Sequence, residues 1–192
     1  MNRIFLSILS LVICWFSCAF ADEDRVDGIS ASGKIAWHIV KTDDGAEVLI
    51  SEGDQGESAA QKLSSTVSIG NTKVSISPSD EWIIVQSGGA SLGISLTVFQ
   101  RENGMIYNER PMLDIATAVL KKALENKPET IDQLDHIEAR IVAWSADSKS
   151  IQVNVQARGG SVKVEPVEAI FDLAKASVTF DLTGFKAAAG RH

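Results

Sequence analysis

The chain has 192 residues, 45% of them hydrophobic and 22% charged, with 18 basic against 25 acidic side chains and a net charge of −7. No block of Lys or Arg stands out, and that balance argues against nucleic acid and anionic membrane surfaces as partners. The length and apolar content are enough to fill one good core.

The first 21 residues read MNRIFLSILSLVICWFSCAFA and then break into DEDRVDG. Arg3 forms a positive n-region, Ile4 to Phe16 is apolar, and Ala19-Phe20-Ala21 is an A-x-A site, so the segment reads as a secretory signal peptide cleaved after Ala21. A spanning helix needs ~20 apolar residues, and this run is shorter, so no membrane span is expected once the signal is removed. Lipid anchoring is not expected either: Trp15 stands where a Leu would precede an acylated Cys18, and Cys14 follows the bulky Ile13. The expected location is the periplasm or the exterior. Both cysteines lie in the signal, so the exported part, 22–192, can form no disulfide and no Cys-based zinc site.

Period-2 alternation dominates the exported part. Ile35 to Lys41 and Ala46 to Ile50 are strands joined by a Thr42-Asp43-Asp44-Gly45 hairpin turn. Ser51 to Ser58 reads as a loop. Gly70-Asn71 is a tight turn between Val67-Ser68-Ile69 and Lys73 to Ile76. Trp82 to Val85 and Ile94 to Phe99 are strands with a small-residue loop, Ser87 to Ser91, between them, and Asn103-Gly104 turns the chain into Met105 to Tyr107. After Pro111 the pattern becomes helical: Ile115, Ala116, Val119, Leu120, Ala123 and Leu124 share one face, Asp114 stands at the start, and Pro128 stops the run. Thr130-Ile131-Asp132-Gln133 has capping-box spacing and predicts a short second helix near Ile131 to His136. The helical insert therefore covers about 112–137. Strands resume at Ala139 to Trp144. The cleanest strand has Ile151, Val153, Val155 and Ala157 on one face and Gln152, Asn154 and Gln156 on the other. Val167 to Leu173 and Val178 to Leu182 follow, joined by a turn at Asp172 to Ala176, and a polar tail closes the chain.

One phrase recurs three times: Ser30-Ala31-Ser32-Gly33-Lys34-Ile35, Ser77-Pro78-Ser79-Asp80-Glu81-Trp82 and Ser145-Ala146-Asp147-Ser148-Lys149-Ser150. The copies start 47 and 68 residues apart, each enters an apolar strand, and Trp37, Trp82 and Trp144 lie close by. The longer spacing contains the helical insert. These turns resemble the strand-entry turns of TolB-type, WD40-like β-propeller repeats. The resemblance rests mainly on the second and third copies, with Gly88-Gly89 and Leu96 to Phe99 fitting the following loop and strand. It implies a mainly β fold of antiparallel strands in blade-like repeats, as a partial or small propeller or an open sheet, with the helical hairpin inserted. It also implies a scaffold or binding platform with no reaction attached.

Residue patterns with a chemical reading are few. His38 lies in an apolar strand and reads as a structurally satisfied side chain, and His192 is terminal. Asp132 and His136 are four apart and would share a helix face, but a metal site wants three or four ligands. There is no G-x-S-x-G elbow, P-loop or EF-hand spacing. No catalytic residue, cofactor or metal ligand is assigned. The row Gln152, Asn154, Gln156 is the candidate binding surface, since side-chain amides form paired hydrogen bonds to sugars or peptide backbones. The leading expectation is a non-enzymatic exported module that binds an envelope or periplasmic protein, with the insert around Leu120 as a docking element. The alternative is a small periplasmic hydrolase acting on glycan or peptide.

Overall fold

Each stretch of four successive strands folds back on itself as a meander, and three such meanders build the protein. The computed structural model describes residues 24–53, 60–66, 68–89 and 93–188. Strands β1 (Arg25–Ile29), β2 (Ile35–Thr42), β3 (Gly45–Glu52) and β4 (Gln61–Thr66) form one antiparallel sheet in that order. The second meander is β5 (Thr72–Ile76), β6 (Trp82–Gly89), β7 (Gly93–Asn103) and β8 (Ile106–Glu109). The third is β9 (His136–Trp144), β10 (Ser150–Gly159), β11 (Val162–Asp172) and β12 (Ser177–Thr179). The second and third meanders join in one sheet, ordered β12-β11-β10-β9-β7-β6-β5, with β8 pairing the other end of β7, at Phe99 to Asn103. Their seam is a short parallel ladder, Gly93 with Ile137 and Ile94 with Glu138. The architecture is mainly β, antiparallel and open, with a small helical insert between β8 and β9.

The three recurring phrases occupy the same place in each meander, the turn from its first strand to its second. In each, the first serine accepts through Oγ from the backbone N–H five residues on: Ile35 at 3.2 Å, Trp82 at 3.0 Å and Ser150 at 2.9 Å. In each, the fourth residue donates its N–H to the first residue's carbonyl, at 2.9, 2.9 and 3.0 Å. That fourth residue is left-handed every time: Gly33 at φ 76°, Asp80 at 59° and Ser148 at 63°. The third residue, Ser32, Ser79 or Asp147, accepts from the N–H two residues on. The shared feature is a side-chain-stapled turn in which serine replaces the backbone pairing that a longer strand would supply.

The turns also touch one another. Ser32 Oγ donates to Asp80 Oδ2 at 2.5 Å, and the Ser79 N–H donates to Ser148 Oγ at 2.9 Å. Tyr107 donates its hydroxyl to the Asp80 carbonyl, and burial pushes its phenol up to about 12, which keeps it a neutral donor. Gln61 ties β4 to β8 by a paired amide contact, donating to the Tyr107 carbonyl at 2.7 Å and accepting from its N–H at 2.9 Å.

Two cores flank the middle meander. Ile83, Val85 and Phe99 pack with Ile35, Ile39, Val48 and Ile50 of the first sheet. Trp82, Ile84 and Val98 share the other core with Val153, Val155 and Phe171 of the third meander. Helix α1 (Ile115–Ala123) closes this second core with Ile115, Val119 and Leu120, all fully buried. Asp114 caps it by accepting from the Thr117 N–H at 3.0 Å. Each such aliphatic burial contributes roughly 1.5–3 kcal/mol.

The structure departs from the sequence reading in six places. The last strand is Ser177–Thr179, so Phe180 and Leu182 of the expected Val178 to Leu182 strand lie beyond its end. The expected second helix is a 3-10 helix at Pro128–Gln133 with no side-chain cap bond, and Thr130 Oγ1 turns back to the Lys127 carbonyl instead of forming a capping box. His136 and Ile137 belong to β9, so the insert ends before them. β1 and β4 are strands where none was expected. The Gly70-Asn71 turn carries the chain from one sheet to the other, with the Thr72 N–H bonded to the Ile69 carbonyl, and does not close a hairpin. Ser87 to Gly89 are not loop but the end of β6, paired with Ser95 to Gly93. The signal segment with Ala21, Cys14 and Cys18, most of the Ser51 to Ser58 loop, Ala90 to Ser91 and His192 lie outside the described residues.

Candidate functional site

Strand β10 divides cleanly between two environments. Ile151, Val153, Val155 and Ala157 are at most 4% exposed and face the core. Gln152, Asn154, Gln156 and Arg158 therefore project from the other face, as strand alternation demands. The three amides of the candidate surface are brought together there, half-buried, as the sequence predicts.

Register then decides their company. Gln156 lies opposite Glu138, Asn154 opposite Arg140, and Arg158 opposite His136 on β9. On the other side Asn154 faces Glu168, and Arg158 faces Lys163 on β11. Glu138 is the hub of this surface. Its Oε1 sits 3.0 Å from His136 Nε2, and its Oε2 accepts from Gln156 at 2.9 Å and Arg140 at 3.2 Å. Gln152 makes a longer contact, 3.4 Å, to Glu168. Asn154 has no side-chain partner among the described residues, and its amide is available to a ligand.

The hydrogen bonds from His136 and Gln156 hold the Glu138 carboxyl below its usual range. A group lowered in the folded state adds stability above its unfolded value and loses it as pH falls through the folded one. The unfolded value is about 4.3. Wild type is thus expected to lose stability more steeply than Glu138→Gln as the pH drops below about 4.5. Urea midpoints taken between acid and neutral pH would test this, and parallel curves would refute it.

Two clefts adjoin this network and share His136 and Glu138 as a common wall. One, of about 390 Å³, is bounded by Lys73, Gln86, Gly88, Gly93 and Arg140 at the seam between the second and third meanders. The other, of about 260 Å³, lies over Gln156, Arg158 and Lys163. Close backbone approach shapes both surroundings. A Cβ on Gly93 would stand 2.0 Å from the Ile137 carbonyl oxygen, and one on Gly159 would stand 1.9 Å from that of Gln133.

The Asp132–His136 pair does not form: Asp132 is exposed on the 3-10 helix while His136 turns to Glu138 on its own strand. His38 is satisfied as expected, with Nδ1 2.7 Å from Asp27 Oδ1. Slight burial raises the Asp27 carboxyl, but hydrogen bonds from His38 and Arg25 outweigh it and leave the group lowered. Among the described residues no three His, Cys, Asp or Glu side chains gather in a way that would hold a metal ion, and no helix is long and apolar enough to cross a membrane. Sequence reasoning missed Glu138, Arg140, Arg158 and Lys163. The available signal was the alternation of His136, Glu138 and Arg140, a polar row like that of β10. No protein-family model matches the chain, and no curated protein matches it.

Proposed function

We propose that the chain is an exported, non-enzymatic interaction module built from blade-like units of the TolB-type, WD40-like kind. The observation that carries this reading is the threefold equivalence of the serine-stapled turns, each placed between the first and second strand of a four-stranded meander. Repeats of this sort act as platforms, because each unit contributes one layer of a stack and leaves its loops and outer faces to contact others. The outer face of the third meander, with Gln152, Asn154 and Gln156, is the proposed contact surface. It combines exposed polar side chains with amide groups whose hydrogen-bonding capacity is partly unused. Its partner is another envelope or periplasmic protein, reached after cleavage at Ala21.

The test is capture from the native compartment with a short cross-linker, using the exported chain and a variant in which Gln152, Asn154 and Gln156 are all alanine. The wild type is expected to retain one reproducible partner at near-equal abundance, and the folded variant to lose most of it. Equal capture by both would remove the surface from the proposal. An empty capture from folded wild type would overturn the interaction reading and favour the small-hydrolase alternative.

A further inference from the structure

We infer that the smaller cleft on the outer face of the third meander is a binding site for a small oxyanion, a phosphate or a carboxylate, held by Arg158 and Lys163 beside His136. The inference does not depend on the protein-partner reading. His136, Arg158 and Lys163 stand directly opposite one another across β9, β10 and β11. Facing side chains on neighbouring strands interact, and like charges in that position destabilise the sheet. An arrangement with Arg facing Lys, and His on the far side of Arg, is better suited to a bound anion than to an empty surface.

The local charge is opposite to that of the chain as a whole. The protein carries −7, yet Lys73, Arg140, Arg158 and Lys163 gather in the two adjoining clefts. Two carboxylates offset them. Glu138 is already committed to His136, Gln156 and Arg140. Glu165 meets Lys163 at 2.8 Å, with both side chains about 70% exposed, so that contact is weak in water. The Arg158 guanidinium has no hydrogen-bond or ion-pair partner among the described residues, the backbone carbonyl alone being engaged outside the ladders, by the Asp135 N–H at 3.2 Å. Its planar fork matches two oxygens of one oxyanion, while Lys163 supplies a point charge from the next strand. The Gln156 amide is fixed by Glu138 at the cleft wall. A volume of about 260 Å³ suits a small anion or the charged end of a larger molecule.

The test uses the purified full-length folded chain, titrated calorimetrically with inorganic phosphate and, separately, with citrate, against sodium chloride at matched ionic strength. The expected result is saturable binding of at least one of the two, weakened roughly tenfold or more by Arg158→Gln, which corresponds to about 1.4 kcal/mol. Lys163→Gln is expected to weaken it in the same sense, and Lys122→Gln, on the exposed side of α1, to leave it unchanged. Phosphate without citrate would assign a phosphate ligand, and the reverse a carboxylate. Absence of saturable binding of either, or equal binding by wild type and folded Arg158→Gln, would overturn the inference. Neither result bears on partner capture, so the two proposals fail separately.

Discussion

Gly93→Val is expected to cost about 3 kcal/mol or more and to lower the melting temperature by roughly 10 °C. Gly93 has φ +81°, which a β-branched residue adopts only under strain. The larger penalty is steric. The new Cβ would lie 2.0 Å from the Ile137 carbonyl oxygen and 2.8 Å from its carbon, both backbone atoms that cannot rotate aside. The clash is relieved by prising β7 from β9, where the second and third meanders share a sheet. Gly104→Val is the control. Gly104 has φ +52° with open space around it, so its substitution costs the backbone strain alone, about 1–2 kcal/mol. Thermal melts of the two variants separate the terms, and similar losses in both would mean that the seam yields easily.

Leu120→Asp is expected to cost more than 4 kcal/mol, enough to unfold much of the population at ordinary temperature. Leu120 is fully buried in the core that α1 shares with the third meander. The substitution deletes a packed aliphatic side chain, worth about 2–5 kcal/mol, and places a carboxylate where nothing can pair with it. Leu120→Met keeps the volume and is expected to lose less than about 1.5 kcal/mol. Chemical denaturation of the two would check the contrast, and a well-folded Leu120→Asp chain would show that the helix is dispensable. The insert was expected to offer Leu120 to a partner. Its apolar face is instead spent inside the molecule, so Leu120→Asp tests stability and not docking.

The features that could be read from sequence were those written in local pattern. The β10 alternation placed each of its side chains on the correct face, because one of its faces is buried and the other is not. The serine turns were visible because their staple closes within six residues and does not depend on the rest of the fold. The glycine of the first copy turned out to be the less informative part: Asp80 and Ser148 take the same left-handed conformation.

What stayed hidden depends on strand partners far apart in sequence. RVDGI and QKLSST are too polar to show alternation, and they form the edges of the first sheet, where polar residues discourage further pairing. The Glu138–Gln156 bond spans 18 positions and follows from the β9–β10 register, which includes a bulge. The parallel contact of β7 with β9 crosses the whole insert. The Thr130–Gln133 spacing fitted a capping box, but Pro128 and the close approach of Gln133 to Gly159 accompany a tighter helix that ends early.

The double duty of β6 has a consequence for self-association. Trp82-Ile83-Ile84-Val85-Gln86 is uncharged, lacks proline and is rich in β-formers, the composition of a segment prone to stack with copies of itself. Both of its faces are dry because a neighbour covers each one. The first sheet shares no strand ladder with the second among the described residues, and Gln61, Asp80 and apolar contact hold it in place. Shedding that cover would leave Ile83, Val85 and Phe99 bare on one side of an otherwise intact sheet. The first meander thus shields a strand of aggregation-prone composition, and its loosening would expose that strand before the rest of the sheet comes apart.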